Sequence, residues 1–410
     1  MKRFRCVTFG CRVNQYETQA IREQFLSRGY EETNGEVPAD LIVINSCTVT
    51  EAADQECLSV IRSLHQEQPQ AQIVVAGCLV QRDAQSLKGL PGVRLLAGSQ
   101  KHRIAQMVEE LDPWAREPRI ELELGAVYSP MAISAFEGYQ KAFIKVQDGC
   151  DRACAFCKIP LVRGRARSRE LLDVVQEIRR VVDNGFKEVV LTGVALGLWG
   201  KESDPPMSLA DLVRAVDRMP GRFRVRLSSL DPRDLDDRFL EALAGSSKLC
   251  RHLHLSLQSG SDSILARMNR GYTADGYRAR VELIRRFWPD LGLTTDLIPG
   301  FPGETPEQFE ESLELIRRMD YLKVHVFPYS RRRGTSAWFF KDFVPRAEIK
   351  RRAKMAREAA AEVSLEFRRR FLGTVQEVLV EGDGTGYSSQ FIKVEFSDPR
   401  IGSDNWFRCE

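Results

Sequence analysis

Short apolar runs, each followed by a longer segment with helical spacing, recur along most of this chain. That switching between period two and period 3.6 restricts the fold more than any other feature. In residues 1–111 the runs are Arg5–Phe9, Asp40–Asn45, Gln72–Ala76 and Val93–Leu96. Helices are expected over Glu17–Arg28, closed by Gly29, and over Glu51–Gln66, stopped ahead of Pro69. Strands joined by helices pack most readily side by side and parallel, so this block predicts an open, Rossmann-like parallel sheet and places the chain in the α/β class. Residues 112–140 contain Pro113, Pro118 and Pro130 and little periodicity, and read as a linker with room for a hairpin.

A second series fills residues 141–343, with strands expected at 143–147, 187–192, 223–228, 252–257, 293–298 and 322–327. Helices between them are expected over Leu171–Val182, Leu209–Arg218, Asp275–Arg286 and Pro306–Arg318. Six such units predict a partial, TIM-like (β/α)6 barrel. Residues 344–371 form a connecting segment that reads as one long basic helix. Residues 372–410 change to β-type alternation, Val375–Glu381 and Phe391–Phe396, broken by Gly382, Gly384 and Gly386, and predict a small all-β, OB-like module.

With 410 residues, 43% of them hydrophobic, the chain can bury more than one core. It lacks the roughly eighteen consecutive apolar residues that a membrane helix needs. Met1-Lys2-Arg3-Phe4 runs straight into a strand instead of a signal segment, so a cytoplasmic protein is expected. In such a chain ten cysteines are read as metal ligands or catalytic thiols before disulfides. A net charge of +3 excludes attraction of nucleic acid by the average field and leaves only local basic clusters.

Cys150, Cys154 and Cys157 follow the strand at 143–147 and lie where barrel chemistry is built, at a strand's C-terminal end. Three thiolates on one short loop suit three corners of a 4Fe-4S cubane. The fourth iron is then open to the amino and carboxylate groups of S-adenosylmethionine. A four-cysteine zinc site would need Cys250, the only later cysteine before Cys409. Cys11, Cys47 and Cys78 are far apart in sequence, yet each stands just beyond a strand. A parallel sheet would gather them on one edge as a second cluster site. Cys6, Cys57, Cys250 and Cys409 read as small hydrophobes.

Other barrel strand ends offer Thr192, Gly193, Ser228, Gln258 and Asp296 as cofactor contacts; a turn glycine and a helix cap are the plain readings of Gly193 and Gln258. His252 and His254 read as core or rim residues. Arg163, Arg165, Arg167 and Arg169 follow the cysteine loop, and Arg331, Arg332 and Arg333 follow the last strand. Residues 346–370 carry nine Lys or Arg against four Glu. The three clusters are expected to form a phosphate track for RNA.

The stretches Gly10–Glu17, Ile44–Thr50, Gly77-Cys78, Gln147–Pro160 with Arg163-Gly164, His254–Gly260, Asp296–Thr305 and Val326–Ser330 together resemble the methylthiotransferases, a radical S-adenosylmethionine family. The resemblance implies an N-terminal auxiliary-cluster domain, a radical barrel and a C-terminal TRAM domain, here with a short tail. It also implies two 4Fe-4S clusters, one held by Cys11, Cys47 and Cys78 and one by Cys150, Cys154 and Cys157. Two molecules of S-adenosylmethionine are consumed: one methylates a sulfur at the first site, and the other is cleaved to a radical that removes the adenine C2 hydrogen. The implied partners are a tRNA anticodon loop, an electron-donor protein and a sulfur source, with no membrane. Val13–Glu17 and Thr48-Val49-Thr50 resemble the branch that acts on N6-threonylcarbamoyladenosine. The branches acting on isopentenyladenosine or on a ribosomal-protein aspartate stay open as alternatives, as does a non-catalytic iron-sulfur protein that binds RNA or senses redox state. Lys158 and Arg333 depart from the residues common in the family.

Overall fold

The computed structural model describes residues 2–112, 114–115, 117–125, 127–129, 131–136, 140–381, 384–396 and 406–409. Six strands form the first sheet: β1 (Arg3–Thr8), β2 (Glu31–Glu32), β3 (Leu41–Ser46), β4 (Gln72–Gly77), β5 (Val93–Ala97) and β6 (Arg119–Glu121). They lie parallel in the order β2-β1-β3-β4-β5-β6. The central strand β3 is buried on both faces, as its continuous Leu-Ile-Val-Ile run requires. Leu41 and Val43 face one hydrophobic core and Ile42 and Ile44 another, which is the alternation of a pleated strand.

The helix α1 (Arg12–Leu26) starts five residues before the expected Glu17. Its first two turns carry polar side chains, Asn14 and Glu17, that look like loop residues but are buried in the site described below. No hairpin forms at Arg119–Glu121. Those three residues pair parallel to β5 and extend the sheet edge. Pro113, Pro130 and Gly382 lie outside the described residues.

The second series supplies β7 (Lys141–Asp148), β8 (Arg167–Ser168), β9 (Glu188–Gly193), β10 (Arg224–Leu227), β11 (Ser229–Leu230), β12 (His252–Leu255), β13 (Gly292–Leu297) and β14 (Tyr321–Val326). Two four-stranded groups, β10-β9-β7-β8 and β11-β12-β13-β14, are joined where the Val225 N–H donates to Lys248 O and the Cys250 N–H donates to Val225 O, both at 2.8 Å. Six parallel strands thus run in the order β7-β9-β10-β12-β13-β14 as an open arc, with β8 antiparallel beside β7. The helix Pro306–Arg318 begins with a capping box from Thr305 and Gln308 and Pro306 at its first position, the local signals that start a helix.

The first sheet and the arc share one core. Phe4, Tyr16 and Phe25 pack in the same cluster as Val146, Ile178 and Leu191. The Tyr16 hydroxyl donates to Met131 O at 2.6 Å and to Glu177. After the helix Arg346–Arg369, the chain ends in β15 (Gln376–Glu381), β16 (Thr385–Ser388), β17 (Lys393–Glu395) and β18 (Trp406–Cys409), an antiparallel sheet in the order β17-β16-β15-β18. It caps the N-terminal ends of the arc strands: Lys141 pairs with Glu381 at 2.7 Å, and Arg224 and Arg226 donate to the carbonyls of Tyr387, Ser388 and Ser389. Among the described residues no helix is long and apolar enough to cross a membrane.

Candidate active site

The two cysteine triads sit at the C-terminal ends of the two sheets. In the first sheet, Cys11 precedes α1, Cys47 follows β3 and Cys78 follows β4. Gly10 has φ +93°, and a Cβ there would come within 2.6 Å of Cys47 Sγ, so the backbone beside Cys11 passes against Cys47 only because residue 10 is glycine. Cys47 and Cys78 are buried, while Cys11 is exposed. Burial, and then the charge of Cys78, push the Cys47 thiol up to about 11.

The second triad follows β7. Gly149 has φ +71°, and any Cβ would meet Arg165 O at 1.8 Å. The loop is clamped from two sides: the Ala155 N–H donates to Met268 O at 2.9 Å, and the Ala337 N–H donates to Ala155 O at 2.8 Å. The Arg152 and Ile159 amides point at the Sγ atoms of Cys150 and Cys157, each at 3.4 Å. Burial pushes Cys157 up to about 12.

Each triad faces a buried surplus of positive charge. On the first side, Lys101, Lys145, Arg163 and, at 3.8 Å, Arg167 surround Glu17 and Asp148, four cations to two carboxylates. Burial alone would raise the Glu17 carboxyl, but Arg163, Lys101 and Lys145 outweigh it and hold it well below the usual range. Arg163 then donates from Nε to Cys78 Sγ at 3.3 Å and from Nη2 to Asn14 Oδ1 at 2.7 Å. On the second side, Arg152, Arg233, Arg270 and, from the surface at 3.9 Å, Lys201 surround Asp231 and Asp234, again four to two. Arg270 donates to Cys154 Sγ at 3.0 Å. A buried cation without a full counter-charge is costly, so negative charge brought to either triad is favoured. Thiolates on an iron-sulfur cubane satisfy that demand and accept such hydrogen bonds. Among the described residues no three His, Cys, Asp or Glu groups close around a single metal ion.

Arg163 bonds both Cys78 and, at 3.0 Å, Asp148, two residues before Cys150. One buried side chain therefore links Cys78 to the strand end that leads into the second triad. The other expected contacts cluster around the arc's strand ends. The Gly193 N–H donates to Ser228 Oγ at 3.3 Å, Thr192 bonds the Val190 carbonyl, and the Gln258 N–H donates to Asp296 O at 2.9 Å. Gln258 holds φ +74°, strain placed at the mouth of the arc. His254 contacts Asp296 at 3.2 Å and His252 bonds Thr294 at 3.1 Å, the rim and core positions expected.

The arginines do not form the continuous track expected of them. Arg163, Arg167 and Arg332 are buried and committed inside the protein: Arg163 as above, Arg167 to the Gly125 and Arg163 carbonyls, and Arg332 to Thr48 and, at 2.9 Å, Asp54. Arg169 is likewise buried against Glu177. Arg165, whose side chain is 91% exposed, and the exposed Arg331 and Arg333 stay at the surface, where a phosphate could reach them. Arg331 lies over Trp338 at 4.2 Å. Sequence reasoning missed Lys101, Lys145, Arg152, Asp231, Asp234 and Arg270. Asp231 and Asp234 follow the expected strand 223–228, so the strand-end rule that singled out Ser228 would have reached them.

Residues 144–316 match the radical SAM superfamily, and residues 3–98 match an uncharacterized protein family, UPF0004. A protein of Chlamydia pneumoniae named threonylcarbamoyladenosine tRNA methylthiotransferase MtaB is 40% identical over 98% of this chain and 92% of its own length. Its namesake from Thermotoga maritima is 37% identical over 98% and 93%. A tRNA-2-methylthio-N(6)-dimethylallyladenosine synthase of Desulfitobacterium hafniense is 35% identical over 92% and 86%. Among solved structures, the radical S-adenosylmethionine methyltransferase TsrM of Kitasatospora setae has a TM-score of 0.59 at 16% identity, covering 82% of this chain and 77% of that one, a likeness of fold. Identity sustained over almost the full length of several such relatives settles the lineage: the chain belongs to the radical S-adenosylmethionine methylthiotransferase family.

Proposed function

We propose that the chain places a methylthio group on C2 of N6-threonylcarbamoyladenosine beside the anticodon of tRNA. Two cysteine triads, each beside a surplus of cations and linked through Arg163, are the observation that carries this reading, because sulfur insertion needs a sulfur-bearing site and a radical-generating site in reach of one atom. On this reading Cys150, Cys154 and Cys157 hold the cluster that cleaves S-adenosylmethionine, and Cys11, Cys47 and Cys78 hold the auxiliary one. When bound, the clusters supply electron transfer and a sulfur-carrying iron, chemistry no side chain provides. The chain's own residues orient and shield. Thr192, Gly193, Ser228, Gln258 and Asp296 line the strand ends where S-adenosylmethionine would lie, and the backbone amides of Arg152 and Ile159 steady the thiolates.

We read the arc as a partial TIM-like barrel, the C-terminal sheet as a short TRAM-like module, and Arg165, Arg331 and Arg333 as contacts to the RNA backbone. Residues 1–111, 141–343 and 372–410 then divide the labour of auxiliary cluster, radical and tail. A cytoplasmic electron-donor protein and a sulfur source complete the system. The relatives named for a dimethylallyl substrate support the second reading, an isopentenyl-type adenosine. Anaerobic incubation of the reconstituted protein with dithionite, S-adenosylmethionine and tRNA carrying either modification separates the two. Mass spectrometry of the nucleosides is expected to show the methylthio product of threonylcarbamoyladenosine, and its absence alongside abundant 5'-deoxyadenosine would refute that substrate.

A further inference from the structure

The inner surface of the arc is charged, and nearly all of its charges are answered. Glu188 is taken up by Arg224 at 2.5 Å and Arg226 at 2.9 Å, and Arg226 also donates to the Ser388 and Ser389 carbonyls. His254 is engaged by Thr294 and Asp296. From the C-terminal sheet, Phe391 enters this space at φ +73°, its ring 4.9 Å from that of His252 and 4.7 Å from the Arg226 guanidinium.

Arg12 is the exception. It is the residue after Cys11, and its guanidinium reaches into the arc to lie 5.9 Å from the ring of Phe143 and 5.8 Å from that of Phe391. It makes no hydrogen bond or ion pair with any described residue. Burial and the nearby Arg226 work against its charge, while Glu188, spent on two other arginines, gives only distant relief. The groups that feel it from the other walls, His252 and His325, bring no negative charge. Five N–H donors are thus held between two rings in a sheltered space, beside a proposed cluster ligand, with no acceptor. Elsewhere in the same space the sequence supplies a carboxylate or carbonyl for every arginine.

We propose that Arg12 is the carboxylate receptor of the site: it binds the threonyl carboxylate of the modified adenosine and thereby selects an anionic N6 substituent over a hydrocarbon one. The inference rests on the substrate reading above and names the residue that enforces it. A planar guanidinium meets a carboxylate in a bidentate pair, and the rings on either side limit its rotation, so it can also fix how far the base enters. A dimethylallyl group would leave the half-buried cation unpaired, and sites of this kind reject ligands that lack the matching polar group.

The test uses an anticodon-loop oligoribonucleotide carrying N6-threonylcarbamoyladenosine, as the free acid and as its methyl ester, with the cluster-loaded full-length protein under anaerobic conditions. The wild type is expected to bind the acid on the order of 100-fold more tightly than the ester. In Arg12→Gln the acid should fall to the affinity of the ester while the ester is little changed, and Arg12→Lys should keep part of the preference. A wild type that binds both forms equally, or an Arg12→Gln protein that keeps the wild-type ratio, overturns the proposal. If Arg12→Gln does not fold, the ratios of the wild type and of Arg12→Lys decide, a lysine variant with the full wild-type preference counting against a bidentate receptor. Failure of the substrate reading itself looks different: neither form binds, and a dimethylallyl-bearing loop does.

Discussion

The two cysteine triads answer the same electrostatic demand with opposite architectures. One is gathered from three strand ends spread over 68 residues of sequence, from Cys11 to Cys78, and the other from a single loop of eight. Both face four cations set against two carboxylates, and in both an arginine donates to one sulfur, Arg163 to Cys78 and Arg270 to Cys154. What differs is the source of rigidity. The first triad inherits its geometry from a parallel sheet, and the two strands that lead to Cys47 and Cys78 are buried, so those two sulfurs are held by the sheet itself. The second inherits it from hydrogen bonds made to the loop by Met268 and Ala337, elements that arrive from elsewhere in the arc. A scattered site suits a group that must keep its place relative to a partner site, and a loop site suits one that must admit a cofactor.

The sharpest way to break the comparison is to remove a ligand from each side. Cys157→Ser is expected to abolish both 5'-deoxyadenosine and the methylthio product. Cys47→Ser should abolish only the product and leave cleavage of S-adenosylmethionine measurable by chromatography, and loss of both in each variant would erase the proposed division. Next in size, Glu17→Gln leaves Lys101, Lys145 and Arg163 with one carboxylate and should lower stability by about 3–5 kcal/mol in denaturant titration of the apo-protein. The Glu17 carboxyl is depressed, so its contribution is complete at neutral pH and is lost only as pH falls below the ordinary glutamate range.

The two arginines should then separate the sites. Arg163→Leu is expected to weaken iron retention at the first triad and Arg270→Leu at the second, each by about 10- to 100-fold, read as cluster-specific signals in electron paramagnetic resonance. Equal loss at both sites from either variant would mean the triads are not independently supported. A smaller effect falls outside them. Replacing Arg165, Arg331 and Arg333 together should flatten the salt dependence of tRNA binding, the slope falling by about 1 for each phosphate no longer neutralised, and an unchanged slope would remove them from the RNA surface. Smallest is the effect of pH on cluster uptake. Thiols raised to about 11 at Cys47 and about 12 at Cys157 are protonated at neutral pH and must release protons to bind metal, so iron bound by the apo-protein at fixed free iron should increase between roughly pH 7 and 9.

The strand-end positions of all six cysteines are legible in the sequence because strand periodicity and glycine breaks are local signals. The arc strands lie within one or two residues of their expected places for the same reason. The roles of the arginines are not legible. A run such as Arg163, Arg165, Arg167 and Arg169 looks like a solvated face, and only the fold shows that Arg163 meets Glu17 across 146 residues of chain and Arg167 turns back onto main-chain carbonyls. Strand Arg119–Glu121 is equally hidden, since three residues are too few to show a period and its pairing partner is fixed by the sheet edge. Arg12 stands out in the sequence only as the neighbour of Cys11, because an unanswered charge is recognised by what fails to surround it.

Arg332 has a consequence for how the molecule is made. Its guanidinium donates to the carbonyl and hydroxyl of Thr48, 284 residues earlier in the chain, and pairs with Asp54, sealing the edge next to Cys47. During synthesis the first sheet emerges long before the segment that closes it, so its thiols stand unprotected while most of the chain is still being translated. The interval is a window in which oxygen can claim those sulfurs before iron does, and it sets the moment at which a growing chain most needs a low-oxygen environment or an escort.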